Sequence, residues 1–220
     1  MFFSKKSDMK MNAFVSIFSL VVIFLCLNPI KTHAYEKILS FQIGPTWPSV
    51  ISDGSSWNAE MMYGAFIDKK IGLGVTGDFL WNTYSKEDTI GSLRYNEKEE
   101  SSFMYPVMGF VLFDPVPYLV VHPLFRFDIG FNSMNYHYKC STLDSVEAIA
   151  TSSLPHSGYY YGLIVKISAD GCYNLGDQAS VFLGLEYRWA NTRTSEDDNG
   201  YFSRRDMSGV GIHAGVRFLL

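Results

Sequence analysis

Beyond residue 34 the chain has no apolar run of the roughly 20 residues that a membrane-crossing helix needs. That excludes a helical anchor from there on. Helical periodicity is weak, which excludes a bundle, while alternation with a period of two is nearly everywhere. Cysteine is scarce, with three in 220 residues, so no disulfide-rich scaffold is built. His122, His137 and His213 show no ligand spacing, and no metal is expected. No phosphate loop or dinucleotide fingerprint appears, so no cofactor is expected. There is no basic cluster, and the net charge is −4, which gives no support to nucleic-acid binding.

Aromatic residues, by contrast, are abundant: 17 Phe, 14 Tyr and 4 Trp. The N-terminus has its own pattern. Lys5, Lys6 and Lys10 precede an apolar run from Ala13 to Leu27, followed by Pro29 and Thr32-His33-Ala34. This is the layout of a secretory signal peptide, expected to span 1–34 and to be cut after Ala34. Leu25 before Cys26 is not the small residue of a lipoprotein signal, so no lipid anchor is expected. The remaining chain, 35–220, is one domain's worth of sequence.

Turn signals divide 35–220 into eight expected strands, near 37–47, 56–67, 71–84, 101–113, 119–136, 158–170, 180–193 and 207–220. Three connections are short: Asp68-Lys69-Lys70, Asp114 to Tyr118, and Leu175-Gly176-Asp177. Four are longer and polar: 48–55, 85–100, 137–157 and 194–206. Short and long alternate, as in an antiparallel up-and-down transmembrane β-barrel with tight turns on the periplasmic side.

The faces of the strands carry the argument further. In HPLFRFDIGFN (122–132), Phe125, Phe127, Ile129 and Phe131 alternate with Arg126 and Asp128. Elsewhere one face is apolar, as in Leu39, Phe41, Ile43 and Trp47. The other mixes charge with glycine, as in Gly184, Glu186 and Arg188. Glycine weakens a strand, but small residues make room for long side chains in a crowded interior. The apolar face is therefore expected to meet lipid. Trp47, Trp57, Trp81 and Trp189 all fall on that face at the long-loop end, with Tyr159 and Tyr161 at the same level. This is where an aromatic girdle belongs. The stretch SFMYPVMGFVLF (102–113) is apolar on both faces, and Pro106 cannot donate to a ladder. A β-bulge is expected there.

The inward face holds four acids, Glu60, Asp78, Asp128 and Glu186, and four bases, Arg126, Lys166, Arg188 and Arg217. Buried charges need partners, so a self-neutralising polar network is expected, with Lys166 between Arg126/Asp128 and Glu186/Arg188. Cys140 and Cys172 would lie at opposite ends of the barrel, beyond disulfide reach. His156-Ser157 invites a lipid-hydrolase reading, but adjacent strand residues point to opposite faces. No catalytic residue and no enzyme activity are expected.

The chain ends His213-Ala214-Gly215-Val216-Arg217-Phe218-Leu219-Leu220. His213, Gly215, Phe218 and Leu220 together resemble the C-terminal assembly signal of outer-membrane β-barrels. Leu220 stands where that signal usually has an aromatic. With eight strands, the chain resembles the small outer-membrane families typified by outer-membrane protein X and the OmpA transmembrane domain. The resemblance implies residence in the outer membrane of a Gram-negative-type bacterium and insertion by the barrel-assembly machinery. Outer-membrane lipid and an extracellular ligand of the loops are then the expected partners, and the expected state is a monomer. A structural or surface-interaction role is expected, rather than that of a general porin. The alternative is a soluble lipocalin-like barrel around an apolar ligand. A lipid-A-modifying enzyme is a minor one.

Overall fold

The computed structural model describes residues 36–48, 56–90, 93–141, 157–194 and 204–220. Among them are nine strands: β1 (Glu36–Pro48), β2 (Ser56–Phe66), β3 (Ile71–Ile90), β4 (Leu93–Phe113), β5 (Val121–Ser141), β6 (Gly158–Asn174), β7 (Ala179–Thr194), β8 (Arg204–Asp206) and β9 (Gly209–Leu219). Consecutive strands from β1 to β7 pair antiparallel, β9 pairs with both β7 and β1, and the ring closes. β8 and β9 follow one line along β7, from Arg193↔Arg204 to Ala179↔Phe218. They count as the eighth stave. The fold is a closed, eight-stranded, antiparallel up-and-down barrel, and closure leaves no unpaired edge around the ring.

Three long connections in the sequence reading become partly strand. The expected loop 85–100 is taken up by β3 and β4, which pair as far as Ile90↔Leu93. β5 runs on to Ser141, and β8 occupies 204–206. A polar stretch reads as loop, but strands that extend past the packed interior can be polar on both faces and still pair, as β4 does with both β3 and β5. Residues 49–55, 91–92, 142–156 and 195–203 lie outside the described residues. So do the expected signal segment 1–34 and His156.

The expected bulge at Pro106 is absent. The β3–β4 ladder passes from Gly77↔Val107 to Leu80↔Met104 without a register shift, and the β4–β5 ladder runs straight through Pro106↔Asn132. Proline removes one donor, and the ladder to β3 is interrupted there without the chain inserting a residue. The described irregularities of β4 lie further out, beyond Lys86 and around Asn96.

Alternation along each strand sorts the side chains. Phe41, Ile43, Val107, Val111, Phe125, Phe127, Ile129, Leu163, Ile167, Leu183, Leu185 and Ile212 stand exposed on the outside, with Phe131 at 75 %. The inside is filled in three layers. Towards the long-loop end lie Leu80, Met104, Met108, Met134, Tyr136, Tyr160, Ile164, Ala190 and Met207. Towards the short-turn end lie Ile38, Met62, Phe66, Phe110, Leu112, Leu124, Cys172 and Phe182. The charged side chains sit between. β4 contributes to both apolar layers and no charge to the middle, which is why its sequence is apolar on both faces.

Candidate functional site

Each strand of the charged layer repeats one pattern. On β3, Asp78 is followed inward by Leu80 on the loop side. On β5, Arg126 and Asp128 lie between Leu124 and Met134. On β6, Lys166 lies between Ile164 and Cys172, and on β7, Glu186 and Arg188 lie between Phe182 and Ala190. The period of two keeps all of them inward, and the pairing brings them to one height, as in Asp128↔Lys166 and Lys166↔Arg188.

Contacts within the layer are dense. Arg126 reaches Glu60 at 2.6 Å through Nη1 and Asp128 at 3.0 Å through Nε. Lys166, 0 % exposed, donates to Glu60 and lies 3.8 Å from Asp78 and 3.9 Å from Glu186. Arg188 Nη2 holds Asp78 and Glu186, both at 2.8 Å. Seven of the eight charges expected inside thus share one network. Arg217 stands apart, nearer the short turns, with its guanidinium 5.2 Å over the Phe182 ring.

Two residues join the network beyond the eight charges expected in it, and one of them, His213, was already expected on the inward face. Asp170 Oδ1 meets His213 Nε2 at 2.8 Å, and His213 Nδ1 lies 3.5 Å from Glu186. Asp170 was the final residue of an expected strand, whereas β6 continues to Asn174. Its inward position follows from the parity it shares with Lys166 on the same strand. His213 was read inside the C-terminal assembly signal. Of that signal, Gly215 also faces inward, against Phe182, while Phe218 and Leu220 are exposed outside.

Glycine supplies the room. Gly64 and Gly74 pair across β2 and β3, and Gly74 pairs with Phe110 on β4. A Cβ built on either glycine would come 2.6 Å from the Phe110 ring. The ring takes the space that two side chains would fill, a device for covering glycine in sheets. At Gly184 a Cβ would collide with Asp170 Oδ1 and come 2.7 Å from His213 Nε2, so that pair occupies the place of a side chain.

On the outside, Trp57 pairs with Trp81, Trp81 with Phe103, Phe103 with Asn135, and Asn135 with Tyr159. Aromatic residues therefore stand side by side on β2, β3 and β4, and the same row resumes on β6 beyond Asn135 of β5. Phe79 stacks on Trp81 at 5.4 Å and on Phe103 at 6.2 Å. Trp47, Trp189 and Tyr161 stand exposed on the same outer face.

At the other end, Asp114 in the β4–β5 turn meets His122 at 3.0 Å and accepts from the Val116 amide at 3.2 Å. Burial pushes the Asp114 carboxyl above its usual range, and His122 and the Val116 amide oppose that shift. Among the described residues no cluster of three His, Cys, Asp or Glu is placed to hold a metal ion.

A closed ring of eight strands, apolar outside and charged inside, defines a barrel of the outer-membrane type. Solved structures share the fold. Neisserial surface protein A matches with a TM-score of 0.51 and 10 % identity, over 83 % of this chain and 96 % of that one. The outer-membrane protein OprG from Pseudomonas aeruginosa matches with a TM-score of 0.50 and 12 % identity, over 87 % and 99 %. At such identities the likeness is one of fold. No protein-family model matches the chain, and no curated protein sequence matches it either.

Proposed function

We propose that the protein resides in the outer membrane of a Gram-negative-type bacterium as a filled, non-conducting barrel. Its extended strands would form a contact surface outside the cell. The observation that carries this reading is the exposed apolar band together with the exposed aromatic residues of the outer face, Trp57 and Phe103 among them, with Trp81 paired between the two. Water-soluble monomers rarely expose apolar surface on this scale. A lipocalin-like barrel needs the reverse arrangement, an apolar inside and a polar outside. Here Glu60, Arg126, Asp128, Lys166 and Glu186 occupy the inside.

The outward surface follows from strand length. A strand crosses the membrane in about 9–11 residues, while β3 has 20 and β4 and β5 have 21 each. Beyond Trp81, β3 continues to Ile90, about 30 Å at the rise of an extended chain. β4 and β5 stay paired over much of that reach, to Asn96↔Ser141. This three-stranded sheet supports a role in surface contact rather than catalysis.

Cell fractionation with heat-modifiable gel migration tests residence. The expected result is an outer-membrane pellet and a folded band that shifts on boiling. A cysteine placed in the β3–β4 extension is expected to label on intact cells with an impermeant maleimide. Recovery from the soluble periplasm would overturn the reading.

A further inference from the structure

The short-turn mouth of the barrel opens into a cavity of about 690 Å³. Its walls come from all three short turns and from both ends of the barrel sequence, Glu36 and Leu219. Phe66 and Leu219, which belong to or pack on the lower apolar layer, also line it, so the cavity is a cup and not a passage.

Arg217 lines this cup and is only 4 % exposed. Its contacts are weak for a buried cation. The guanidinium lies over Phe182, and Nη1 reaches Cys172 Sγ at 3.8 Å, a poor acceptor. Nε has no partner among the described residues. The ion pairs of the charged layer run to Arg126, Lys166, Arg188 and His213, not to Arg217. Asp114 shares the lining and lies near enough for Arg217 to favour its charged form, but no ion pair joins the two, and that carboxylate is held by His122 and the Val116 amide. A buried guanidinium short of a carboxylate carries a desolvation cost that a bound anion would relieve.

The rim has the opposite character. Glu36, Asp68 and Asp177 line the cup as exposed carboxylates, with Lys69 beside them. A multiply charged anion such as phosphate must pass those acids. A simple cation meets Arg217 inside. A ligand that leads with a carboxylate and trails an ammonium satisfies both levels.

We propose that this cup binds a small molecule carrying a carboxylate and a nearby amino group, as a free amino acid does. The carboxylate lies on Arg217 and the ammonium faces the rim acids. The site stands on the fold and not on where the barrel resides.

The test is an amide chemical-shift titration of the protein in lipid nanodiscs with glycine, acetate, ethylammonium and inorganic phosphate. Glycine is expected to give saturable shifts around Ser180, Asp114 and Arg217, acetate weaker ones, and ethylammonium and phosphate none that saturate. Arg217→Gln is expected to weaken glycine binding roughly tenfold, the loss of one charge-assisted pair. Absence of saturation by glycine, tighter binding of phosphate, or glycine binding unchanged in Arg217→Gln overturns the proposal. If Arg217→Gln does not fold, as shown by loss of heat-modifiable migration, the four-probe series on the unaltered protein still decides.

Discussion

Arg126 shows what a single interior residue does. It bridges Glu60 on β2 and Asp128 on its own strand, and both carboxylates are buried. Removing one partner of such a group leaves uncompensated charge, at about 3–5 kcal/mol. Arg126→Leu is therefore expected to lower the unfolding free energy of the barrel in micelles, read from a urea titration, by that order, and an unchanged urea midpoint would sink the network. Gly74 is the opposite case, a residue whose value is its emptiness. A Cβ there would collide with the Tyr63 carbonyl and press on Phe110. Gly74→Ala is expected to cost about 1–3 kcal/mol by overpacking. The loss should be smaller in a Phe110→Leu background, measured by the same unfolding titration.

Among the strands, β4 was the hardest to read. SFMYPVMGFVLF shows no face because both faces are apolar, and only the layered interior explains that. Met104 and Met108 join the upper cluster, Phe110 and Leu112 the lower. Pro106 interrupts one ladder without shifting register. Pro106→Ala regains a donor worth about 1 kcal/mol and loses a comparable restraint on the unfolded chain. The variant is expected to fold with a midpoint close to that of the parent protein. A large loss would mean that the proline ring itself fills space the upper layer needs. The registers of β5 and β6 also separate the cysteines. Cys172 pairs with His122 at one end of β5, while Cys140 lies near the other. Mass spectrometry of non-reduced protein is expected to find no Cys140–Cys172 bridge.

For the whole molecule the decisive feature is that the charged layer is shut between two apolar ones. Porins with open channels use about 16 or more strands, and eight leave room only for side chains. Tyr160, Ile164 and Met134 close one side, and Phe66, Phe182 and Leu112 the other. Purified protein in planar bilayers is expected to give no steady porin-sized conductance, and liposomes carrying it should not swell in sugars. Steady nanosiemens channels from the monomer would overturn the filled interior.

The alternation of residues was enough to determine strands, their inward and outward faces and the barrel class, because strand periodicity acts over two residues. Phe125, Phe127 and Ile129 against Arg126 and Asp128 carry that information locally. Tertiary structure alone decided who meets whom. Asp170 and His213 both pair with Gly184, from its two sides, and only that register of β6, β7 and β9 joins them. Arg217 faces inward as Arg188 does, yet it pairs with Ser180, eight residues from Arg188 along β7, and so lies below the network in the short-turn cup. Parity assigns a side chain to a face. Height within a closed barrel depends on the register of all eight staves together, and no single strand contains it.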